Sequence, residues 1–313
     1  MNKKVTIVMY HFVREIKESR YKGIKGLEYK NFKKQINFFI NNYNIIKMED
    51  MINLKKENKE FPEKCLILTF DDGYKDHFDY VFPILDKYNI QGSFFAPVKA
   101  IKENKVLDVN KIHFILSECN NKLEIIEFLK EKLKIYKKEF DLESFEYYQK
   151  IIDTSSRFDT PEVIFIKRML QVILPEKFRN MLVNELFYKY VSSSEESFSK
   201  DLYLNIDQIK CMIKNGMHFG AHSYDHCWLS ALSKHEQEIQ IEKSLSFLKE
   251  IGMNNEYFTI CYPYGDYNKE TLDILRKNNI KAGFTTIPRK ADLNNDPGLT
   301  PSYWRINKEI LLF

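Results

Sequence analysis

The 313-residue chain has no apolar run long enough to span a bilayer. Its five cysteines (Cys65, Cys119, Cys211, Cys227, Cys261) form no CxxC pair and are odd in number. Neither a disulfide framework nor a thiolate zinc site is indicated. Charge of one sign is not in excess: 48 basic and 44 acidic residues give a formal +4. Duplex binding would need a concentrated basic face, so nucleic acid is not an expected partner. A single local patch would still serve an acidic small molecule such as a nucleotide sugar. The opening MNKKVTIVMYHFV has a short apolar run that turns polar at Tyr10 and His11, with no small-residue cleavage site after it. It reads as a first strand and not as a signal peptide, and the expected compartment is the cytoplasm. No internal repeat is evident.

What the chain does have is material for a packed core, with 44% hydrophobic and 14% aromatic residues. Strand patterns at 5–10, 44–48, 65–70, 92–96, 217–221, 258–262 and 281–285 alternate with helical patterns at 28–42, 78–88, 206–215, 233–251 and 269–279. Ser233 followed by Glu236 predicts a capping box at the start of one helix. Such alternation implies an α/β fold, a parallel sheet with helices outside it, either open or closed into a barrel. Residues 102–200 break the rhythm with helical patterns alone, and VSSSEESFSKD reads as a polar connector back to the alternation. Residues 1–101 and 201–313 are therefore expected to form the α/β body and 102–200 a helical insertion, a cap near the site or an outrigger.

The chemistry-bearing residues cluster at predicted strand ends. They are Tyr10-His11, Thr69-Phe70-Asp71-Asp72-Gly73, Ala221-His222-Ser223-Tyr224-Asp225-His226 and Cys261-Tyr262-Pro263-Tyr264-Gly265-Asp266. Parallel α/β folds place catalytic groups at the carboxyl ends of strands, so the four segments are expected to converge. Asp71 and Asp72 are adjacent carboxylates, and alternation along a strand would let them serve two tasks. A nearby cation would keep both ionised, although a D-D-G stretch by itself reads equally as a turn. His222 and His226 are spaced i, i+4, which suits two ligands on one side of a helical turn. With one carboxylate they make a two-His-one-carboxylate set that leaves coordination positions open. Zinc suits that set, and so do iron, cobalt and manganese. His77 is expected in a solvated loop, His113 in an apolar helix, His218 facing away from the metal end and His235 in a charged helix start.

TFDDG, HSYDH and YPYG occur in the order found in polysaccharide deacetylases, the NodB-like group also called carbohydrate esterase family 4, and the chain resembles that family. The likeness spans roughly residues 4–100 and 203–306. It implies a distorted (β/α) barrel and metal-assisted hydrolysis of an N-acetyl amide on an amino sugar. It also implies metal ligation by Asp72, His222 and His226, with Asp71 as general base. The backbone N–H of Tyr264, beside Pro263, becomes an oxyanion donor in the substrate-binding turn.

Two features depart from the family pattern. Cys261 stands where an arginine usually opens the third motif, and no histidine follows His235 to supply the general acid. His11 in MYH resembles the N-terminal histidine of the permuted poly-N-acetylglucosamine deacetylase branch and is the expected acid. Arg305 is the candidate to pair with Asp71, and Trp304 or Tyr303 to offer a sugar-stacking ring. The implied function is N-deacetylation of a sugar in surface-glycan metabolism, with a nucleotide sugar, a lipid-linked intermediate and a short oligosaccharide as candidate substrate forms. The alternatives are N-deformylation of a formamido sugar, a non-sugar amidase, and a non-catalytic carbohydrate-binding protein on a degenerate barrel.

Overall fold

The structure, a computed structural model, describes residues 4–154, 159–286 and 291–292. The chain divides into two compact units. One comprises Met1–Glu15, Gly26–Lys105 and Ser199–Phe313, the other Ile16–Lys25 and Val106–Phe198.

The first unit contains ten strands among the described residues: β1 Lys4–Tyr10, β2 Val13–Arg14, β3 Leu27–Glu28, β4 Asn44–Ile45, β5 Cys65–Asp71, β6 Gly92–Ala96, β7 His218–Ala221, β8 Thr259–Cys261, β9 Ala282–Phe284 and β10 Ala291–Asp292. The main sheet runs β10-β1-β5-β6-β7-β8-β9, with β4 also paired to β5 and β2-β3 forming a separate pair. All of its pairings are parallel except that of β10 with β1. The sheet curls into a half-barrel surrounded by helices, the architecture of the deacetylase (β/α) barrel.

The strand sequences fit a sheet covered on both faces. Every residue of β5 is buried, as expected of a strand covered on both faces. Leu66, Leu68 and Phe70 join the core that includes Phe32, Ile36 and Phe39 of the helix Tyr29–Asn42, whereas Cys65 and Ile67 join a second core with Phe95, Cys261 and Phe284. Even positions of β5 thus face the helices and odd positions face inward. Asp71 continues the inward series, and Cys261 on β8 belongs to the same inner face. Alternation alone places a carboxylate and a thiol opposite each other.

The predicted capping box is present, Ser233 and Glu236 exchanging bonds at the start of Lys234–Glu250. Two local expectations change. The strand expected at 44–48 is only two residues long, and the helix Met48–Lys56 begins at once, because Met48, Met51 and Ile52 are spaced to bury one helical face. The polar connector is in fact the helix Glu195–Leu202. Ser194 Oγ accepts from the Ser197 N–H at 3.3 Å, and Phe198 and Leu202, four apart, are buried.

The second unit is helical, with no strand among its described residues. Its core includes Ile112, Ile115, Leu129, Leu182 and Leu186. Ile16–Lys25 belongs to this unit, although the sequence assigned it to the barrel segment. Tyr21 explains the difference, packing edge-on to Phe114 at 4.8 Å and Phe198 at 5.7 Å.

Far from the strand ends that carry the motifs, His218 opens β7 fully buried. Its Nδ1 lies 2.9 Å from Glu49 Oε1 and its Nε2 2.9 Å from Thr259 Oγ1. Gln91 Nε2 donates to Glu49 Oε2 at 2.9 Å, and Gln91 Oε1 accepts the Met48 N–H at 2.7 Å. Burial would raise the Glu49 carboxyl, but the His218 and Gln91 hydrogen bonds outweigh it and hold the pKa at about 2, from an ordinary 4.5. A depressed folded-state pKa contributes stability that is complete above 4.5 and is lost as pH falls toward 2. Glu49→Gln is therefore expected to lower the urea midpoint at pH 6 and to converge with the wild type near the acid end. A gap between the two that did not change with pH would contradict this account.

Candidate metal centre and active site

Pairing register brings the motif residues together. Tyr10 is opposite Phe70, so His11 and Asp71 are the next residues out from neighbouring strands. Ala221 is opposite Ile260, so His222 leaves β7 beside Cys261. His222 Nδ1 lies 2.8 Å from the Cys261 carbonyl oxygen and must donate to it. The proton is thereby fixed on Nδ1, leaving the Nε2 lone pair for an ion, the usual device for orienting a ligand histidine.

Three side chains converge on one point. His222 Nε2 and His226 Nε2 each lie 3.3 Å from Asp72 Oδ1. All three residues are buried, and Asp72 Oδ1 has no hydrogen-bond donor. The other Asp72 oxygen accepts from Tyr74 OH at 2.5 Å, which turns Oδ1 toward the histidines. A buried carboxylate oxygen with no donor, facing a histidine whose lone pair is directed at it, is electrostatically incomplete. A divalent cation completes it, and the donor set, one oxygen and two imidazole nitrogens, fits one. The neighbouring His222 and His226 imidazoles outweigh burial and hold Asp72 well below the usual carboxylate range.

The backbone reaches this geometry through strain. His222–His226 lie in a loop and not on the helical turn the spacing suggested; Ser223 at φ 54° and His226 at φ 58° are left-handed. Asp72 at φ 72° is left-handed too, so a turn as well as strand alternation sends Asp71 and Asp72 different ways. Gly73 follows at φ 64°, where a Cβ would also meet the Ala96 Cβ at 2.8 Å. Non-glycine residues in this region cost on the order of 1–2 kcal/mol each, and such strain concentrates at functional sites.

Asp71 is the second carboxylate. Its Oδ2 accepts from Cys261 Sγ at 3.3 Å, while its buried Oδ1 has no hydrogen-bond partner. Burial raises its pKa against the pull of His222 and His11. The place of the family's arginine is thus filled by a weak thiol donor. Asp71, His222 and Cys261 form a second, overlapping group of potential ligand atoms.

His11 is half-buried, and its positive charge would favour the ionised forms of both aspartates. Its backbone oxygen accepts from His77 Nε2 at 3.0 Å. His77 corrects an expectation: it is fully buried and not in a solvated loop, and burial pushes its pKa down to about 4. Pro263 is buried, and Tyr264 is left-handed at φ 59°, ψ 4°. Its ring stacks on Trp228 at 4.4 Å and 5° and meets His226 edge-on at 4.7 Å. A stacked pair contributes about 0.5–1.5 kcal/mol, the size of the strain in Tyr264. Arg305, Trp304 and Tyr303 lie outside the described residues.

Tyr74 and Trp228 escaped the sequence reading. Tyr74, packed between Phe12 at 3.9 Å and Tyr203 at 6.1 Å, could have been noticed as the first phenol after the aspartate pair. Trp228, two residues after His226, carried no comparable local signal.

Comparison with known proteins bears on the family and the fold. A family model described as polysaccharide deacetylase matches residues 58–127 and 139–283, more than half of the chain. The polysaccharide-deacetylase-like protein YxkH of Bacillus subtilis is 19% identical over 297 residues, covering 95% of this chain and 68% of YxkH. The structure of the Streptococcus pyogenes deacetylase PplD in complex with acetate superposes with a TM-score of 0.58 at 19% identity, covering 97% of this chain and 92% of PplD. IcaB from Ammonifex degensii gives 0.56 at 16% identity, over 98% and 94% of the two chains.

Proposed function

Because the chain belongs to the polysaccharide deacetylase family, whose members are carbohydrate deacetylases, we propose that it removes the N-acetyl group of an amino sugar in surface-glycan metabolism by metal-dependent hydrolysis. The observation that carries this reading is the convergence of two histidine nitrogens on the donorless Asp72 Oδ1, beside a second carboxylate with a bare oxygen. Asp72, His222 and His226 would hold the ion, with zinc the best match to the donor set. When bound, the ion supplies a Lewis acid that polarises the amide carbonyl and acidifies water.

The protein's own groups do the rest. Asp71 Oδ1 takes the proton of the attacking water; Cys261 fixes the other oxygen and so the direction of the first. A raised pKa makes Asp71 the stronger base once ionised. The Tyr264 N–H, presented by a left-handed turn, donates to the developing oxyanion. His11 protonates the leaving amine; its place at the end of the strand next to Asp71, and its charge acting on both aspartates, support that role.

His11→Ala is expected to lower kcat about 10²- to 10⁴-fold with metal content unchanged. Near-wild-type turnover in that variant would remove His11 from the mechanism. The reading as a whole is tested with the metal-loaded protein and N-acetylglucosamine oligomers, counting acetate and free amine. Acetate is the ligand of the PplD structure and the product expected here. Release of formate from N-formylated sugars, with no acetate from N-acetylated ones, would replace deacetylation by deformylation.

A further inference from the structure

Trp228 has no part in the reaction as described, yet it sits two residues beyond the ligand His226 with its ring flat against Tyr264. Its Nε1 is buried and has no hydrogen-bond partner, so the indole is held by its face and not by its N–H. Tyr264 is confined on two sides, by the parallel indole at 4.4 Å and by the edge of His226 at 4.7 Å. A second tie joins the same two loops: Asp266 accepts the Ser230 N–H and O–H, each at 2.7 Å. Between the ties lie two consecutive left-handed residues, Tyr264 at φ 59° and Gly265 at φ 74°. A left-handed tyrosine relaxes unless its surroundings fix it, and relaxation would turn its N–H away.

We propose that Trp228 is a positioning residue: by stacking on Tyr264 it clamps the Pro263–Gly265 turn to the metal-ligand loop and keeps the Tyr264 N–H aimed at the reacting carbonyl. The proposal rests on the reading of Tyr264 as oxyanion donor. It makes the tryptophan a determinant of rate and not of sugar affinity, since one face of the indole is already covered by Tyr264.

The test is steady-state kinetics of the metal-loaded protein on N-acetylglucosamine oligomers. Losing one oxyanion donor outright costs about 10²- to 10³-fold in kcat. Trp228→Ala, which loosens the donor without deleting it, should lower kcat by about 10- to 100-fold, with KM and metal content unchanged. Trp228→Phe, which keeps a flat ring, should restore most of the rate, and its recovery separates clamping from misfolding. Combining Trp228→Ala with Tyr264→Ala should cost little more than either alone, because both remove the same stack.

A readout independent of turnover is emission. Trp228 is the sole tryptophan in a Trp304→Phe background, and Tyr264→Leu should then change its emission. A raised KM at unchanged kcat in Trp228→Ala would make the residue a sugar platform and overturn the clamp. So would unchanged emission on loss of Tyr264. Absence of acetate release by the wild type would instead sink the deacetylase reading, and the catalytic half of the clamp with it.

Discussion

Asp71→Asn is expected to turn over about 10²- to 10⁴-fold more slowly than the wild type while still binding one metal ion per chain. The substitution is isosteric, so the fully buried strand that ends at Asp71 keeps its packing. What it removes is the ability of Oδ1, the oxygen without a partner, to accept a proton. It also separates two assignments that geometry alone leaves adjacent. His222 belongs to both candidate ligand groups, one with Asp72 and His226 and one with Asp71 and Cys261. If Asp71 is the base, metal content is preserved and kcat collapses. If it is a ligand, the metal is lost along with activity, and the roles of the two aspartates must be exchanged. Metal analysis and kcat on the same preparation decide the matter.

His222→Ala is expected to abolish stoichiometric metal binding and activity together. Loss of an outer partner that merely orients a ligand already costs about 10- to 100-fold in metal affinity, so removal of the ligand itself should exceed about 10²-fold. His222 is the pivot of the centre: Nδ1 is tied to the Cys261 carbonyl at 2.8 Å, and Nε2 is one of the two nitrogens at 3.3 Å from Asp72 Oδ1. Stability supplies a second measure. An ion that binds only the folded chain stabilises it by about 2.7 kcal/mol at one hundred times its dissociation constant. The wild type should therefore melt at a higher temperature when metal is added, and His222→Ala should not respond. A variant that kept one tightly bound ion would place the metal elsewhere.

The parts of this site legible in the sequence are those whose signal is local. Short β-branched and aromatic runs marked β1, β5 and β6 to within a residue, and strand ends are where Asp71, Asp72 and His222 stand. Features that depend on distant partners were not legible. The i, i+4 spacing of His222 and His226 suggested a helical turn, but two left-handed residues in a loop bring the nitrogens together instead. Nothing near Trp228 in sequence announces Tyr264, thirty-six residues on; Tyr74, two residues from the Asp72 it orients, did offer a local signal that was passed over. His77 looked like a turn residue because its polarity suggested water, yet it lies in the interior with its Nε2 bonded to the His11 carbonyl. The Glu195–Leu202 helix was hidden by serines, whose preference for caps and turns outweighs an apolar pair four residues apart when sequence alone is read.

The central claim is that a single ion at Asp72, His222 and His226 is what makes this chain a deacetylase. Metal-stripped protein should be titrated with zinc while acetate released from N-acetylglucosamine oligomers is followed. Acetate release should rise in proportion to zinc, level off at one equivalent per chain, and yield one free amine per acetate. Full activity in rigorously metal-free protein would contradict the claim, as would a titration in which His222→Ala followed the wild-type curve.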